Sequence, residues 1–147
     1  VRSVVPRFRR ELALLGVERH ELNAAAERVG AALAHALTDE RGRWILSPHS
    51  EAESELRMTL RAGDALEHLR IDRTFVADGR RWVVDFKTSQ HEGGEIASFL
   101  DSEVARYAPQ LERYAHALGA IDSRPVWLGL YFPLLEEFRS WPATTSP

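Results

Sequence analysis

Apolar residues recur at Leu22, Ala25, Ala26, Val29, Leu33, Ala36 and Leu37, the spacing of one buried helical stripe, and predict a helix over 19–37. The period breaks over 38–50, where Gly42 and Pro48 predict a loop that carries Trp44 and Ile45 inward. Alternation of polar and apolar positions then predicts strands over 55–60 and 66–77, with turn chemistry around Gly63 between them. Asp78-Gly79 is a strong hairpin signal, and residues 80–88 supply the returning strand. Gly93-Gly94 marks a loop over 90–95, mobile until substrate orders it. Val104, Ala108, Leu111, Ala115 and Leu118 predict a second helix, which Pro109 either begins or kinks and which ends before Gly119 and Pro125. The apolar run 126–132 reads as a strand covered on both faces, and 133–141 as a short aromatic-rich closing segment.

The order α-β-β-β-α-β predicts an α/β fold: one mixed sheet, an antiparallel three-strand meander plus a further strand, flanked by helices. If Asp78-Gly79 is a two-residue turn, Ala77 faces Arg80 and the register runs on to set Phe75 opposite Trp82, Asp72 opposite Asp85 and Ile71 opposite Phe86. Asp72, Asp85 and Lys87 then share one face, with Ile71, Phe75, Trp82 and Phe86 on the other. Carboxylates directly opposed on a sheet, with Cβ atoms about 5 Å apart, repel each other, and a divalent cation shared between them turns that repulsion into a binding site. Lys87, one step along the face, is placed to donate to an attacking water or a scissile phosphate.

At 147 residues and 44% hydrophobic content, the expectation is a single domain over 1–147 with one core. No run approaches the roughly 18 apolar residues of a membrane span, and no secretory layout opens the chain, so a soluble cytoplasmic protein with no membrane contact is expected. The absence of cysteine excludes disulfides, thiolate zinc sites and cysteine-held iron–sulfur clusters, which leaves oxygen and imidazole ligands and favours Mg2+ or Mn2+. A net charge of -3 makes no global case for nucleic acid, although acids at a metal site offset cations that touch phosphates elsewhere. Of the 19 lysine and arginine side chains only Lys87 is lysine, a compact ammonium where arginine is used everywhere else. An opening Val1 and a small polar tail ending at Pro147 suggest a fragment of a longer chain.

Ile71-Asp72, followed on the next strand by Asp85-Phe86-Lys87, resembles the PD-(D/E)XK nuclease superfamily. Neighbouring residues resemble its RecB-like and AddA-like branch, the C-terminal nuclease domains of UvrD-type helicase-nucleases related to the beta subunit of exonuclease V. The likeness extends over 29–132 and implies a restriction-endonuclease-like core. His35, within Gly-Ala-Ala-Leu-Ala-His-Ala-Leu, resembles the branch's metal-ligating histidine on the first helix, although Ala31 stands where relatives carry glycine, with Gly30 adjacent. Tyr107-Ala-Pro-Gln110-Leu-Glu-Arg-Tyr114 resembles its Tyr-x-x-Gln-x-x-x-Tyr motif, whose members share a helix face.

The resemblance implies a cation held by His35, Asp72, Asp85 and the backbone carbonyl of Phe86, with Lys87 completing the catalytic set. Gln110, Tyr114 and Tyr107 would contact DNA or brace the site, and Glu55 would act through water, with Glu51 and Glu53 weaker candidates. The function implied is that of a magnesium-dependent deoxyribonuclease of exonuclease type, working on the bacterial nucleoid in double-strand-break repair or recombination. DNA, the remaining helicase domains and a second helicase-nuclease subunit would be its partners. No phosphate-cradling loop with lysine occurs, so ATP would be bound elsewhere in the parent. The alternatives are a silent nuclease-like domain that holds DNA or a partner subunit, and a structural module that docks through aromatics such as Trp141.

Overall fold

The computed structural model describes residues 5–91 and 93–144; Glu92, within the expected 90–95 loop, and the last three residues of the polar tail lie outside the described residues. In chain order the elements are α1 (Val5–Leu14), α2 (Leu22–Thr38), α3 (Glu40–Leu46), β1 (Ser50–Ala62), β2 (Ala65–Ala77), β3 (Arg80–Phe86), α4 (Ile96–Gly119), β4 (Val126–Phe132) and β5 (Glu137–Pro142). The expected α-β-β-β-α-β core is present, joined by α1, α3 and β5. The five strands form one mixed sheet in the order β1-β2-β3-β4-β5. Only β3 and β4 run parallel, because α4 carries the chain back between them; the other neighbours are antiparallel.

Helices cover both faces of the sheet at its centre, and β3 is accordingly buried from Arg81 to Asp85, whereas β1 is largely exposed. On one face Leu69, Ile71, Val83, Leu128, Leu130 and Phe132 pack against Leu100, Leu111, Tyr114 and Leu118 of α4. On the other, Phe75, Trp82, Val84 and Tyr131 pack against Ala36 of α2 and Ile45 of α3. No helix of the described residues is long and apolar enough to cross a membrane.

Three expectations change. The 38–50 stretch is not simply a loop: α3 lies within it, too short to show a period. Asp39 caps α3 through Oδ2, which accepts from the Gly42 N–H at 3.0 Å and from the Tyr131 hydroxyl at 2.9 Å. Only glycine fits at position 42, since a Cβ there would stand 2.3 Å from the Ala36 carbonyl oxygen. Ile45 is carried inward as expected, and Trp44 meets Phe75 and Trp82 edge-on. The closing aromatic segment contains a strand, β5, and its Trp141 packs partly buried against the α4 core rather than standing free. The second helix begins at Ile96 and runs through the exposed Pro109 without ending there.

Candidate active site

The β2–β3 hairpin keeps the expected register from Ala77↔Arg80 through Phe75↔Trp82 to Arg73↔Val84. Its turn, Asp78-Gly79, has φ of 53° and 69°, the left-handed pair that a tight hairpin requires. The ladder then stops, one step short of Asp72 and Asp85. Ile71 and Phe86 do not share a face; they belong to core clusters on opposite sides of the sheet. The alternation of β2 breaks at Asp72, because Ile71 turns toward α4 while Arg73 turns toward α3 and donates to the Ile45 and Ser47 carbonyls at 3.2 and 2.9 Å. The β1 pairs Ser54↔Arg73 and Leu56↔Ile71 put Glu55 opposite this break, and Glu55 itself has φ of 54°. Where a ladder bond is lost, the Asp72 side chain supplies the acceptor: its Oδ2 takes a 3.0 Å hydrogen bond from the Phe86 N–H.

Asp85 is 6% exposed, and its Oδ2 lies 2.7 Å from Lys87 Nζ. Burial raises its pKa from an ordinary 3.8 to about 6; Lys87 opposes that rise, while the charge of nearby Asp72 and a hydrogen bond with it reinforce it. The two acids therefore do come together, one bonded to the backbone and the other buried, rather than as a ladder pair. The Lys87 N–H donates to the Tyr131 carbonyl at 2.8 Å, which holds the residue just past the end of β3. Its ammonium sits 3.7 Å from the centre of the Tyr107 ring, a cation–π contact.

Tyr107, Gln110 and Tyr114 share one stripe of α4, as their spacing predicts. Of the three, Tyr107 touches the Asp85–Lys87 pair. Gln110 Nε2 donates to the Tyr114 hydroxyl at 2.6 Å, and Tyr114 is buried in the core. An acid that the sequence reading passes over, Glu103, lies one turn before Tyr107 on the same stripe, 9% exposed and with Oε2 lacking a hydrogen-bond partner. The signal was its spacing of four and seven residues from Tyr107 and Gln110.

His35 is half-exposed on α2, its Nδ1 3.4 Å from Oε1 of Glu136 in the β4–β5 turn. Phe86 directs its ring toward Tyr131 on the face away from α4. Glu55 and Glu53 are exposed, and Glu51 is committed to Arg81 and Arg124. Among the described residues no three His, Cys, Asp or Glu side chains converge closely enough to hold a metal ion, so His35 does not join Asp72 and Asp85 in one group. The donor chemistry of the pair nonetheless fits magnesium or manganese. Both ions take hard oxygens, and magnesium is commonly held by one or two carboxylates, with water and substrate phosphate completing its shell.

No known family's sequence profile and no curated protein matches this chain. Among solved structures it is similar to one titled "Crystal structure of SSO0001", at 16% identity and a TM-score of 0.45, covering 97% of this chain. The match spans 62% of that chain, and a likeness of this size carries no argument about function.

Proposed function

We propose that this chain is a deoxyribonuclease module that hydrolyses DNA phosphodiester bonds with a divalent cation, Mg2+ or Mn2+, held by Asp72 and Asp85. The observation that carries the reading is the buried Asp85 with Asp72 at its side and the chain's one lysine 2.7 Å away. Two acids packed together at a buried strand end are costly for folding alone, so their juxtaposition favours a ligand that uses them. A bound cation would polarise the scissile phosphate and offset the charge that develops on its oxygens. Asp72 is oriented for this by the Phe86 N–H. Lys87, held between Asp85 and the Tyr107 ring, donates to the attacking water or to a phosphate oxygen. Gln110 and Tyr114 brace the helix face that carries Tyr107.

The resemblance in the Asp72, Asp85-Phe86-Lys87 and Tyr107–Tyr114 motifs extends this reading to a helicase-nuclease parent that works in double-strand-break repair or recombination, with the motor and ATP site outside this chain. The test is release of fragments from labelled single-stranded and duplex DNA in Mg2+ or Mn2+, comparing the natural chain with Asp85→Ala and Lys87→Ala. Metal-dependent cutting that both substitutions abolish is the expected result, and DNA retained without cutting is the result that rejects it. That second outcome would support a silent module that holds DNA or a partner subunit. One observation favours such a module, the pairing of His35 with Glu136 instead of with the two acids.

A further inference from the structure

The arginines of the sheet fall into two groups. Arg73 donates to the Ile45 and Ser47 carbonyls and to Ser54 Oγ. Arg80 stacks 4.5 Å over Trp127, Arg81 bonds Asp122 and Glu51, and Arg139 pairs with Asp101 and Glu137. Arg57, Arg61 and Arg70 are exposed and, among the described residues, have neither an ion pair nor a side-chain hydrogen bond.

These three lie together on the β1–β2 ribbon. Leu56, Met58 and Leu60 pack toward α4, so by alternation Arg57, Thr59 and Arg61 point to the opposite, uncovered face. Arg57 and Arg70 are direct cross-strand partners, and Thr59 and His68 are the adjacent pair, their Oγ1 and Nδ1 3.1 Å apart. A cleft of about 420 Å³ opens here, lined by Arg57, Thr59, His68 and Arg70 with Met58 and Leu69. Like charges directly opposed on a sheet are destabilising, and among the described residues neither guanidinium has a carboxylate to relieve the repulsion. Two guanidiniums offer only donors, in forks that match the oxygens of a phosphate.

We propose that Arg57 and Arg70 together hold a backbone phosphate of a DNA strand on the outer face of the β1–β2 ribbon. The pair lies two residues before Asp72 on β2, about 7 Å of strand, but on the face opposite the one on which Lys87 meets Tyr107. A DNA strand held here therefore passes around the end of the sheet to reach Asp85. Arg61 lies four residues beyond Arg57, about 13 Å along the same outer face. A line of unpartnered cations suits an extended polyanion better than an isolated anion. The choice of DNA rests on the cleavage proposed for Asp72 and Asp85.

The experiment is an anisotropy titration of labelled single-stranded DNA over a salt series in EDTA. It compares the natural chain with the double variant Arg57→Gln/Arg70→Gln, with Asp85→Asn, and with Arg28→Gln on the exposed side of α2 as a charge control. The double variant is expected to bind about tenfold more weakly, with the slope of log affinity against log salt shallower by about 0.7, the loss of one phosphate contact. Its melting temperature should equal or exceed that of the natural chain, because a repulsive pair is gone. Unchanged affinity and slope in the double variant would overturn the proposal, as would equal weakening by Arg28→Gln. Inorganic phosphate that binds the cleft as tightly as DNA does would also overturn it, in favour of a small-anion site. If binding depends on Arg57 and Arg70 but Mg2+ and Mn2+ never elicit cutting, the ribbon site stands and the nuclease reading falls; if cutting occurs with an unaltered slope, the reverse holds.

Discussion

The Phe86 N–H donates to Asp72 Oδ2 over 3.0 Å, so one acid of the candidate site is bonded to the strand that carries the other. Asp72 therefore has two separable roles, acceptor and charge. Asp72→Asn keeps an acceptor and should leave the melting temperature close to that of the natural chain, whereas Asp72→Ala should cost about 1–3 kcal/mol. Both should lower metal-dependent cutting by about a hundredfold or more. Thermal melts and cleavage rates measured on the same preparations check the separation; equal destabilisation by the two substitutions would contradict it.

Lys87 is held at 2.7 Å from Asp85 and 3.7 Å from the Tyr107 ring centre. Lys87→Met preserves much of the stem but removes the ammonium, and is expected to reduce cleavage by about 10²-fold or more while DNA affinity falls little. Tyr107→Leu removes only the aromatic face under that ammonium. It should lower the cleavage rate by less than Lys87→Met does, as single-turnover measurements would register.

Asp85 has a folded-state pKa of about 6 against an ordinary 3.8, chiefly through burial. Since the folded value is the higher, the ionised carboxylate is better accommodated in the unfolded chain. The stability linked to Asp85 is fullest below about pH 4 and is lost as the pH rises through about 6. In EDTA the natural chain should therefore lose about 3 kcal/mol over that range relative to Asp85→Asn, which lacks the titrating group. Mg2+, which favours the ionised form, should raise the melting temperature more at pH 7 than at pH 5. Denaturant melts across the pH series with both proteins give the answer, and parallel profiles would contradict the burial of Asp85.

Gly42 is the seat of α3, where an added Cβ would meet the Ala36 carbonyl oxygen at 2.3 Å and the Tyr131 hydroxyl at 2.6 Å. Gly42→Ala is expected to cost about 1–3 kcal/mol or more. It should also loosen Arg73, whose guanidinium is anchored to the Ile45 and Ser47 carbonyls. Urea unfolding followed by tryptophan fluorescence, to which Trp44 of α3 contributes, measures the loss of stability.

What could be read in advance was whatever repeats over a long window or sits close in sequence. The stripes of α2 and α4, the Asp78-Gly79 turn and the first five pairs of the β2–β3 ladder follow from local pattern, and so do the Asp85–Lys87 neighbourhood and the α4 stripe bearing Tyr107. What escaped depends on distant partners. The seven residues of α3 are secured by Asp39 bonding to Tyr131 far along the chain. The face switch at Asp72 is set by β1, where Glu55 takes a positive φ, and by the bond to Phe86. No pattern in β2 alone announces either. The place of His35 beside Glu136 likewise follows from how α2 packs against the β4–β5 turn, which helical spacing does not specify.

The most direct test of the central reading is the rate of fragment release from end-labelled single-stranded DNA in Mn2+, with EDTA and Asp85→Asn as the two controls. The account predicts cutting that requires the metal and drops by about a hundredfold or more in Asp85→Asn. Cutting that persists at full rate in that variant, or no cutting by the natural chain while it binds the same DNA, would contradict it.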